Sequence, residues 1–289
     1  MACLLGIDIG TSGTKTVLFE ETGVPVASHT AEYPLYQPHN GWAEQDPADW
    51  WAAVAEGIRA VLAKSGRPAA EVKGIGLSGQ MHGLVMLDKD NRVLRRSIIW
   101  CDQRTAEQCA HILLPKDYIR LMLTGEYATE VSDASGMQLL DVPNRCWSEK
   151  LLNMLNIDPS LLAKVYESCE VTGHISKAAA ELTGLSEETL VVGGAGDNAA
   201  AAVGTGVVED GRAFTTIGTS GVVFAHTDKL AIDPKGRVHT FCCAVPGAWH
   251  VMGVTQAAGL GLRRQRGHGK RDHDAGCDHE YIHIFCPIG

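Results

Sequence analysis

Residues 4–15 read Leu-Leu-Gly-Ile-Asp-Ile-Gly-Thr-Ser-Gly-Thr-Lys, and this stretch decides the fold. An apolar run ends in a polar turn with glycine on both sides, and a second run follows over residues 15–20. Two runs around such a turn are typical of a β-hairpin. A further turn at residues 21–23 leads into the run 24–31, so the chain is predicted to begin with a β-meander.

Downstream of the meander, helical and extended patterns alternate. Asp46 and Pro47 supply an N-cap and a proline at the first helical position, and Ser65-Gly66 ends a helix that has one apolar face. Further strands are expected at 72–77, 84–87, 93–100 and 190–192, further helices at 116–123, 148–155 and 199–203, and a strand-turn-strand unit at 214–225. This mixture predicts an α/β fold.

Composition and charge exclude several classes of protein. The 289 residues are 45% hydrophobic and 20% charged, which is ordinary for a globular chain. The formal net charge of -9 argues against binding to nucleic acid or to an anionic membrane surface. No stretch approaches the roughly 20 apolar residues that span a bilayer, and the nine scattered cysteines contain no CxxC pair. We therefore expect a cytoplasmic protein with reduced thiols, and the sequence leaves a homodimer open.

A repeated pentapeptide marks two candidate phosphate-binding loops. Ile-Gly-Thr-Ser-Gly occurs at residues 9–13 and again at 217–221, each time between two apolar runs. A glycine-rich hairpin loop offers backbone N–H groups and short hydroxyls to phosphate oxygens, and two such loops could clamp a polyphosphate. The alternative is a pair of ordinary tight turns. The candidate residues are Gly10, Thr11 and Ser12 in the first copy, and Gly218, Thr219 and Ser220 in the second.

Three charged residues lie beside the first loop or in another glycine turn. Asp8 could hold Mg²⁺ or its waters against the phosphates, or it could be a turn aspartate. Lys15 could neutralise phosphate charge or be a solvated strand residue. Asp197, between Gly196 and Asn198 at the start of a predicted helix, is expected to be kept ionised by the helix N-terminus. Such a carboxylate suits the base of a kinase acting on an alcohol, but an N-cap aspartate explains the segment equally well.

Standard nucleotide-binding motifs are missing from the sequence. It has no GxxxxGK[ST] P-loop. Residues 74–79 match GxGxxG, but a turn and a strand are predicted after them instead of a helix. In the similar segment 194–199, Asp197 would repel a pyrophosphate. We therefore reject NAD binding.

Two segments could form a wall for a polyhydroxylated ligand. Residues 80–82 and residues 100–104 follow predicted strands. Amide, imidazole and carboxylate groups match sugar hydroxyls, and an indole can cover a C–H face. The residues alone favour the simpler explanation of polar loop residues and a core aromatic. The candidates are Gln80, Met81, His82, Trp100, Asp102 and Arg104.

Taken in order, these motifs resemble the FGGY carbohydrate kinases of the actin/Hsp70/sugar-kinase superfamily, and within them the kinases of D-xylulose. The resemblance rests on residues 6–15, 42–46, 79–83, 100–104, 114–118, 196–198 and 217–221. It implies ribonuclease-H-like lobes around a cleft and transfer of the ATP γ-phosphate to the 5-hydroxyl of D-xylulose. It makes Asp197 the base and places Asp8 at the magnesium. It places Thr11, Ser12, Thr219 and Ser220 at the phosphates, and Met81, His82, Trp100, Asp102, Arg104 and Asn198 at or near the sugar.

The chain departs from this resemblance in two places. Family members carry several tens of additional residues near 109–112, and the resemblance stops after residue 262. Residues 1–206 are therefore predicted to form the N-terminal lobe, residues 207–262 the opening of a C-terminal lobe, and residues 263–289 a tail unlike the family. Because the family's adenine-binding glycine motif is missing, we expect weak or no turnover. The alternatives are a non-catalytic sugar-binding remnant, a kinase for another sugar such as gluconate or ribulose, and an actin-like assembly ATPase.

Overall fold

The structure is a computed structural model that describes residues 2–39, 42–99, 111–217, 221–255 and the backbone of 284–287. The chain divides into two compact units, residues 1–200 and residues 201–289. The predicted lobe boundaries at residues 206 and 262 stay predictions.

The first unit contains most of the regular structure. Its strands are β1 (Cys3–Ile9), β2 (Gly13–Glu20), β3 (Pro25–Glu32), β4 (Glu44–Gln45), β5 (Val72–Gly79), β6 (Val85–Leu87), β7 (Ser97–Ile98), β8 (His111–Leu113), β9 (Ala128–Glu130), β10 (Leu140–Asp141), β11 (Cys146–Trp147), β12 (Lys164–Tyr166), β13 (Val171–His174), β14 (Leu190–Val192) and β15 (Ala195–Gly196). Its helices are α1 (Pro47–Ser65), α2 (Pro115–Thr124), α3 (Val131–Ala134), α4 (Glu149–Leu155) and α5 (Lys177–Thr183), and α6 (Asp197–Gly204) continues into the second unit. Short 3-10 helices cover Ala69–Glu71, Ser135–Met137 and Pro159–Leu161.

A mixed central sheet organises this unit. Its strand order is β13-β14-β5-β1-β2-β3, with β15 pairing with β5 as well. Strands β1, β2 and β3 are consecutive antiparallel neighbours, which confirms the predicted meander. Strands β14, β15 and β1 all run parallel to β5. The mixture of a meander with parallel strands and helices confirms the α/β prediction.

Helix α1 covers one face of this sheet and has the predicted ends. The Asp46 carboxylate accepts a hydrogen bond from the Ala48 N–H (3.0 Å), and Gly66 ends the helix in the left-handed region at φ 64°. One side of the helix is fully buried against the sheet, through Trp50, Val54, Ile58 and Val61 from the helix and Leu5, Ile7, Ile75 and Leu77 from β1 and β5. Because strand residues alternate between faces, Asp8 lies on the face opposite Ile7.

The second unit is built on an antiparallel sheet. Its strands are β16 (Arg212–Ile217), β17 (Gly221–Thr227), β18 (His239–Cys242), β19 (Trp249–Thr255) and β20 (Ile284–Pro287), in the order β18-β19-β17-β16-β20. The pairing of β16 with β17, which brings Ile217 opposite Gly221, confirms the predicted strand-turn-strand unit. A small core forms around Phe214 and Phe224. Strand β20 lies in the tail, where no hydrophobic periodicity indicated a strand.

The predicted strand over 93–100 is mostly irregular. Of the described residues 93–99, only Ser97–Ile98 form a strand, and Val93 forms an isolated bridge with Leu87. The two arginines between them bind side chains elsewhere: Arg95 pairs with Glu44, and Arg96 lies over the Tyr36 ring. These contacts take the segment out of a regular ladder.

Two further observations concern the helices and the cysteines. Within the ranges given above, no helix is long and apolar enough to cross a bilayer. The cysteines described, Cys3, Cys146, Cys169, Cys242 and Cys243, are free thiols. The cytoplasmic location and the homodimer stay predictions.

Candidate active site

Three loops meet where three parallel strands of the central sheet end. Ile9 of β1 lies opposite Gly79 of β5, and Gly79 also lies opposite Gly196 of β15. The chain that leaves these strands forms the loops 10–12 and 80–83 and the start of α6. Ligands of open α/β sheets bind beyond the carboxyl ends of parallel strands, so this edge is the candidate active site.

Asp8 lies on the open face of the sheet between two polar neighbours. Its strand partners are Ser78 on β5 and Lys15 on β2. Burial by the surrounding protein raises the pKa of Asp8, while a hydrogen bond from Ser78 and the charge of Lys15 oppose that shift. Both Asp8 and Lys15 reach solvent.

Asp197 is the first residue of α6. Its Oδ1 accepts hydrogen bonds from the backbone N–H of Asn198 (2.7 Å) and from the Asn198 side-chain amide (2.9 Å). Although Asp197 is open to solvent, the protein packed around it raises its pKa to about 6, and repulsion from Asp8 contributes to this shift. Burial therefore outweighs the hydrogen bonds from Asn198 in setting this pKa. At pH 7 the carboxylate is still mostly ionised.

The first glycine-rich loop is held by buried amides. Gln80 is only 4% exposed, and its side-chain amide donates to Gln45 Oε1 (2.8 Å) and to the backbone carbonyl of Gly10 (3.4 Å). Its own Oε1 accepts from the Thr11 hydroxyl (3.3 Å), and the Gln45 amide donates to the Thr11 carbonyl (2.6 Å). The Tyr33 hydroxyl donates to the Gly10 carbonyl (2.5 Å). Gln80 therefore shapes the loop, and the backbone of the loop is fixed from three directions.

Met81 and His82 follow in the second loop and differ in exposure. Met81 is buried, and a Cβ at Gly196 would lie 3.1–3.4 Å from its side chain. His82 is exposed and has φ 61°, a strained value for a residue other than glycine. Its Nδ1 lies 3.0 Å from the Gly136 carbonyl. Because a carbonyl only accepts, Nδ1 carries the hydrogen and Nε2 is the acceptor nitrogen of the neutral ring.

The remaining predicted site residues fall into two groups. Gly10, Thr11, Ser12, Lys15, Asp8, Gln80, Met81, His82, Asp197 and Asn198 lie at or beside the three loops just described. Trp100, Asp102, Arg104, Gly218, Thr219 and Ser220 lie outside the described residues.

A buried ionic cluster beneath the site was missed from the sequence. Lys116 is fully buried, and its Nζ lies 2.9 Å from Asp117, 3.3 Å from Glu130 and 3.2 Å from Asp133. Arg120 is also buried and pairs with Asp117 (2.5 Å). Burial, which here outweighs the attraction of Lys116, raises the pKa of Asp133 to about 8. The only signal was a run of charges in α2 at positions where a helical period expects apolar residues.

The chemistry of the site suits a hard divalent cation. Asp8 and Asp197 repel each other, and the positive charge of Lys15 acts on Asp8. Among the described residues no group of three or more His, Cys, Asp or Glu side chains converges into a metal site. A magnesium ion bound by one or two carboxylates, with waters and phosphates as the other ligands, fits this arrangement.

Known proteins match the chain over most of its length. The model of the FGGY family of carbohydrate kinases, N-terminal domain, matches residues 3–113 and 106–204. The chain is 38% identical to a xylulose kinase of Klebsiella pneumoniae, over 88% of this chain and 60% of that protein. A solved xylulose kinase from Brucella ovis has a TM-score of 0.85 at 37% identity, over 91% of this chain and 62% of that one. A solved gluconate kinase from Lactobacillus acidophilus has a TM-score of 0.85 at 25% identity, over 92% of this chain and 62% of that one.

Most of this chain matches its relatives, but only part of each relative matches this chain. The chain spans about 60% of the length of the curated relatives that it matches. The family model matches in two stretches that overlap at residues 106–113. That the family's additional residues are missing near 109–112 stays a prediction. The match to the family model takes in well over half of the chain, and it is joined by close sequence relatives and by solved folds, so the chain belongs to the FGGY family of carbohydrate kinases.

Proposed function

We propose that this chain carries the sugar-binding part and the catalytic base of an ATP-dependent kinase that phosphorylates D-xylulose. The observation that carries the proposal is Asp197, a solvent-accessible carboxylate at the ends of three parallel strands with its pKa raised to about 6. A general base works best when its pKa lies near the working pH, and Asp197 is closer to that range than an ordinary aspartate.

The proposed reaction needs little covalent chemistry from the protein. Asp197 accepts the proton of the attacking sugar hydroxyl as that oxygen forms a bond to the γ-phosphorus of ATP. The bond from this phosphorus to the bridging oxygen breaks, and ADP leaves. Asn198 supports the step because its two N–H donors hold Asp197 Oδ1 in place. Kinases depend mainly on such positioning and on electrostatic stabilisation.

Asp8 and the first loop are assigned to the phosphate side. Asp8 would hold Mg²⁺, which neutralises charge that develops on the phosphates. The tip of the loop, Thr11 and Ser12, offers hydroxyls, and Lys15 adds a positive charge beside Asp8. The amides of Gln80 and Gln45 keep this loop in one conformation before any ligand arrives.

D-xylulose is the substrate that the relatives favour. The xylulose kinases from Klebsiella pneumoniae and Brucella ovis are 38% and 37% identical to this chain. The gluconate kinase from Lactobacillus acidophilus is 25% identical, as is a xylulose kinase from that organism. Met81 packs beside Gly196, the residue before Asp197, and His82 follows it, so we assign the sugar to this loop. Gluconate is the second candidate and is included in the test.

A thermal melt with ligands tests binding and catalysis in one preparation. We expect D-xylulose to raise the melting temperature, because a ligand at 100 times its Kd stabilises the folded state by about 2.7 kcal/mol. Formation of ADP is followed in the same samples with MgATP. D-gluconate serves as the competing sugar.

Two variants make the test specific. Asp197→Asn is expected to keep the melting shift with D-xylulose and to lower ADP formation by about 100-fold or more, the usual effect of losing a general base. Asp90→Asn changes an exposed aspartate in the turn after β6; it is the matched control and should change neither. A melting shift with sugar but no sugar-dependent ADP would identify a sugar-binding protein without catalysis. A stronger shift with D-gluconate would overturn the assignment of the substrate.

A further inference from the structure

The residue before Asp197 is held by a buried hydroxyl. The backbone N–H of Gly196 donates to Ser132 Oγ over 3.1 Å. Ser132 is fully buried in α3. The position of Asp197 therefore depends on a side chain that lies beneath the site.

Ser132 has its own fixed orientation. Its hydroxyl donates to Glu130 Oε1 (3.0 Å), and its backbone N–H donates to Glu130 Oε2 (2.7 Å). A hydroxyl has one hydrogen, so the bond to the carboxylate leaves a lone pair for the Gly196 N–H. Glu130 is fully buried and lies 3.3 Å from Lys116 Nζ, which fixes the carboxylate in turn.

The other end of the same short segment is also tied to the buried cluster. Arg120 donates to the carbonyl of Gly193 and pairs with Asp117. Residues 193–196 are thus held at both ends, at Gly193 by Arg120 and at Gly196 by Ser132. Each of these two side chains is oriented by a buried carboxylate: Asp117 orients Arg120, and Glu130 orients Ser132.

The segment that contains Ser132 also reaches the second loop. Gly136 follows four residues later and accepts the hydrogen bond from His82 Nδ1. A Cβ at Gly136 would lie 2.8 Å from the His82 ring, so the segment and the ring are in close contact. Residues 131–137 therefore contact both His82 and the residue that precedes Asp197.

We propose that Ser132 is a positioning residue for Asp197, acting through its hydrogen bond to the Gly196 N–H. The proposal rests on the proposed function in one respect, since the role of Asp197 as the base belongs to that function. Misplacing a reacting group by about 1 Å can cost roughly 100-fold in rate, so an anchor one residue away affects turnover more than it affects binding of the sugar.

The hydrogen bond is tested by amide exchange in the full chain. In Ser132→Ala, the Gly196 amide loses its acceptor, and we expect its hydrogen exchange to become at least tenfold faster. Ser168→Ala is the matched control, because Ser168 Oγ also donates to Glu130 (2.8 Å) but does not bond to Gly196. In this control the exchange of the Gly196 amide should stay within twofold of the wild type.

The effect on the reaction is tested by kinetics. Ser132→Ala is expected to lower kcat at least tenfold with KM for D-xylulose within threefold of the wild type, and Ser132→Thr, which keeps the hydroxyl, should restore most of kcat. If Ser132→Ala does not melt cooperatively, Ser132→Cys replaces it, because its sulfur is only a weak acceptor. Gly196 exchange that is unchanged in the tested variant, or raised equally by Ser168→Ala, would overturn the proposal. If the wild type forms no ADP, the proposed function fails, and the exchange comparison alone decides the role of Ser132.

Discussion

The ionised carboxylate of Asp197 lowers the stability of the folded protein. Asp197 is an acid whose pKa is raised, so the folded state holds its proton more tightly than the unfolded chain does. Between the ordinary aspartate pKa and about 6, the folded state therefore binds more protons, and its stability falls as the pH rises through this window. Repulsion from Asp8 adds to the effect.

Asp197→Asn should therefore stabilise the protein at pH 7. We expect a gain of about 1 kcal/mol, less than the roughly 3 kcal/mol of an unscreened shift of two pKa units, because solvent screens the exposed carboxylate. Urea unfolding in the presence of EDTA at pH 7 and at pH 4.5 measures this. The gain should shrink at pH 4.5, and an equal change at both pH values would contradict the argument.

Ionisation of Asp197 should raise the activity although it lowers the stability. The base works only as a carboxylate, so ADP formation should fall as the pH drops through about 6. A profile of kcat/KM for D-xylulose between pH 5 and pH 8 measures this. An activity that is constant down to pH 5 would show that Asp197 is not the base.

A glycine near the site sets a steric limit. Gly194 has φ +71°, and a Cβ there would collide with the carbonyl of Leu77. We expect Gly194→Ala to destabilise the protein by roughly 2–5 kcal/mol, from left-handed strain together with overpacking. Gly66→Ala is the matched control, since Gly66 also has a positive φ but no atom within 4 Å of its Cβ position. It should lower the free energy of unfolding only by the left-handed backbone strain. Equal losses in urea unfolding would contradict this explanation.

Secondary-structure elements show how far the sequence could predict this molecule. Helix α1 was predictable to the residue because its cap, its proline and its terminal glycine are local signals. The meander was predictable because its apolar runs alternate around glycine turns. The buried cluster around Lys116 was not, because a charged residue in a helix usually faces water and only the tertiary structure supplies its partners. The raised pKa of Asp197 could not be predicted for the same reason, since burial is not visible in a local sequence.

Helix α1 also packs unusually closely on β2. A Cβ at Gly57 would collide with the hydroxyl of Thr16. Alanine favours an isolated helix by about 1 kcal/mol over glycine, yet we expect Gly57→Ala to destabilise this protein by roughly 1–3 kcal/mol through overpacking. Thr16→Ala in the same background should recover at least half of the loss, because it removes the colliding group, whose oxygen is buried without a hydrogen bond. A double variant no more stable than Gly57→Ala in urea unfolding would refute this.

At the scale of the whole molecule, the two units differ in the size of their cores. Among the described residues, the first unit buries a large cluster that spans its central sheet and α1, whereas the second unit buries a few residues around Phe214 and Phe224. Hydrophobic stabilisation follows the apolar area removed from water, so the second unit should unfold first. Buried cysteines report on each unit, Cys3 in the first and Cys242 and Cys243 in the second.

Pulsed alkylation across a urea gradient, read by peptide mass spectrometry, measures this order. Cys242 and Cys243 are expected to become labelled at a lower urea concentration than Cys3, while the exposed Cys146 and Cys169 should react without urea. Labelling of all three buried thiols at one midpoint would show that the units unfold together.

The parallel pairing of β15 with β5 and of β5 with β1 also governs when the site can form during synthesis. These strands begin at residues 3, 72 and 195, so strands that are neighbours in space are far apart in the sequence. At about 5–20 residues per second, roughly 10–40 seconds pass between the emergence of β1 and that of β15. From the emergence of β5 until β15 follows, one edge of β5 lacks the strand that leads into Asp197. The nascent chain therefore acquires its candidate base last, and it depends on its environment to keep that open edge from pairing with another chain.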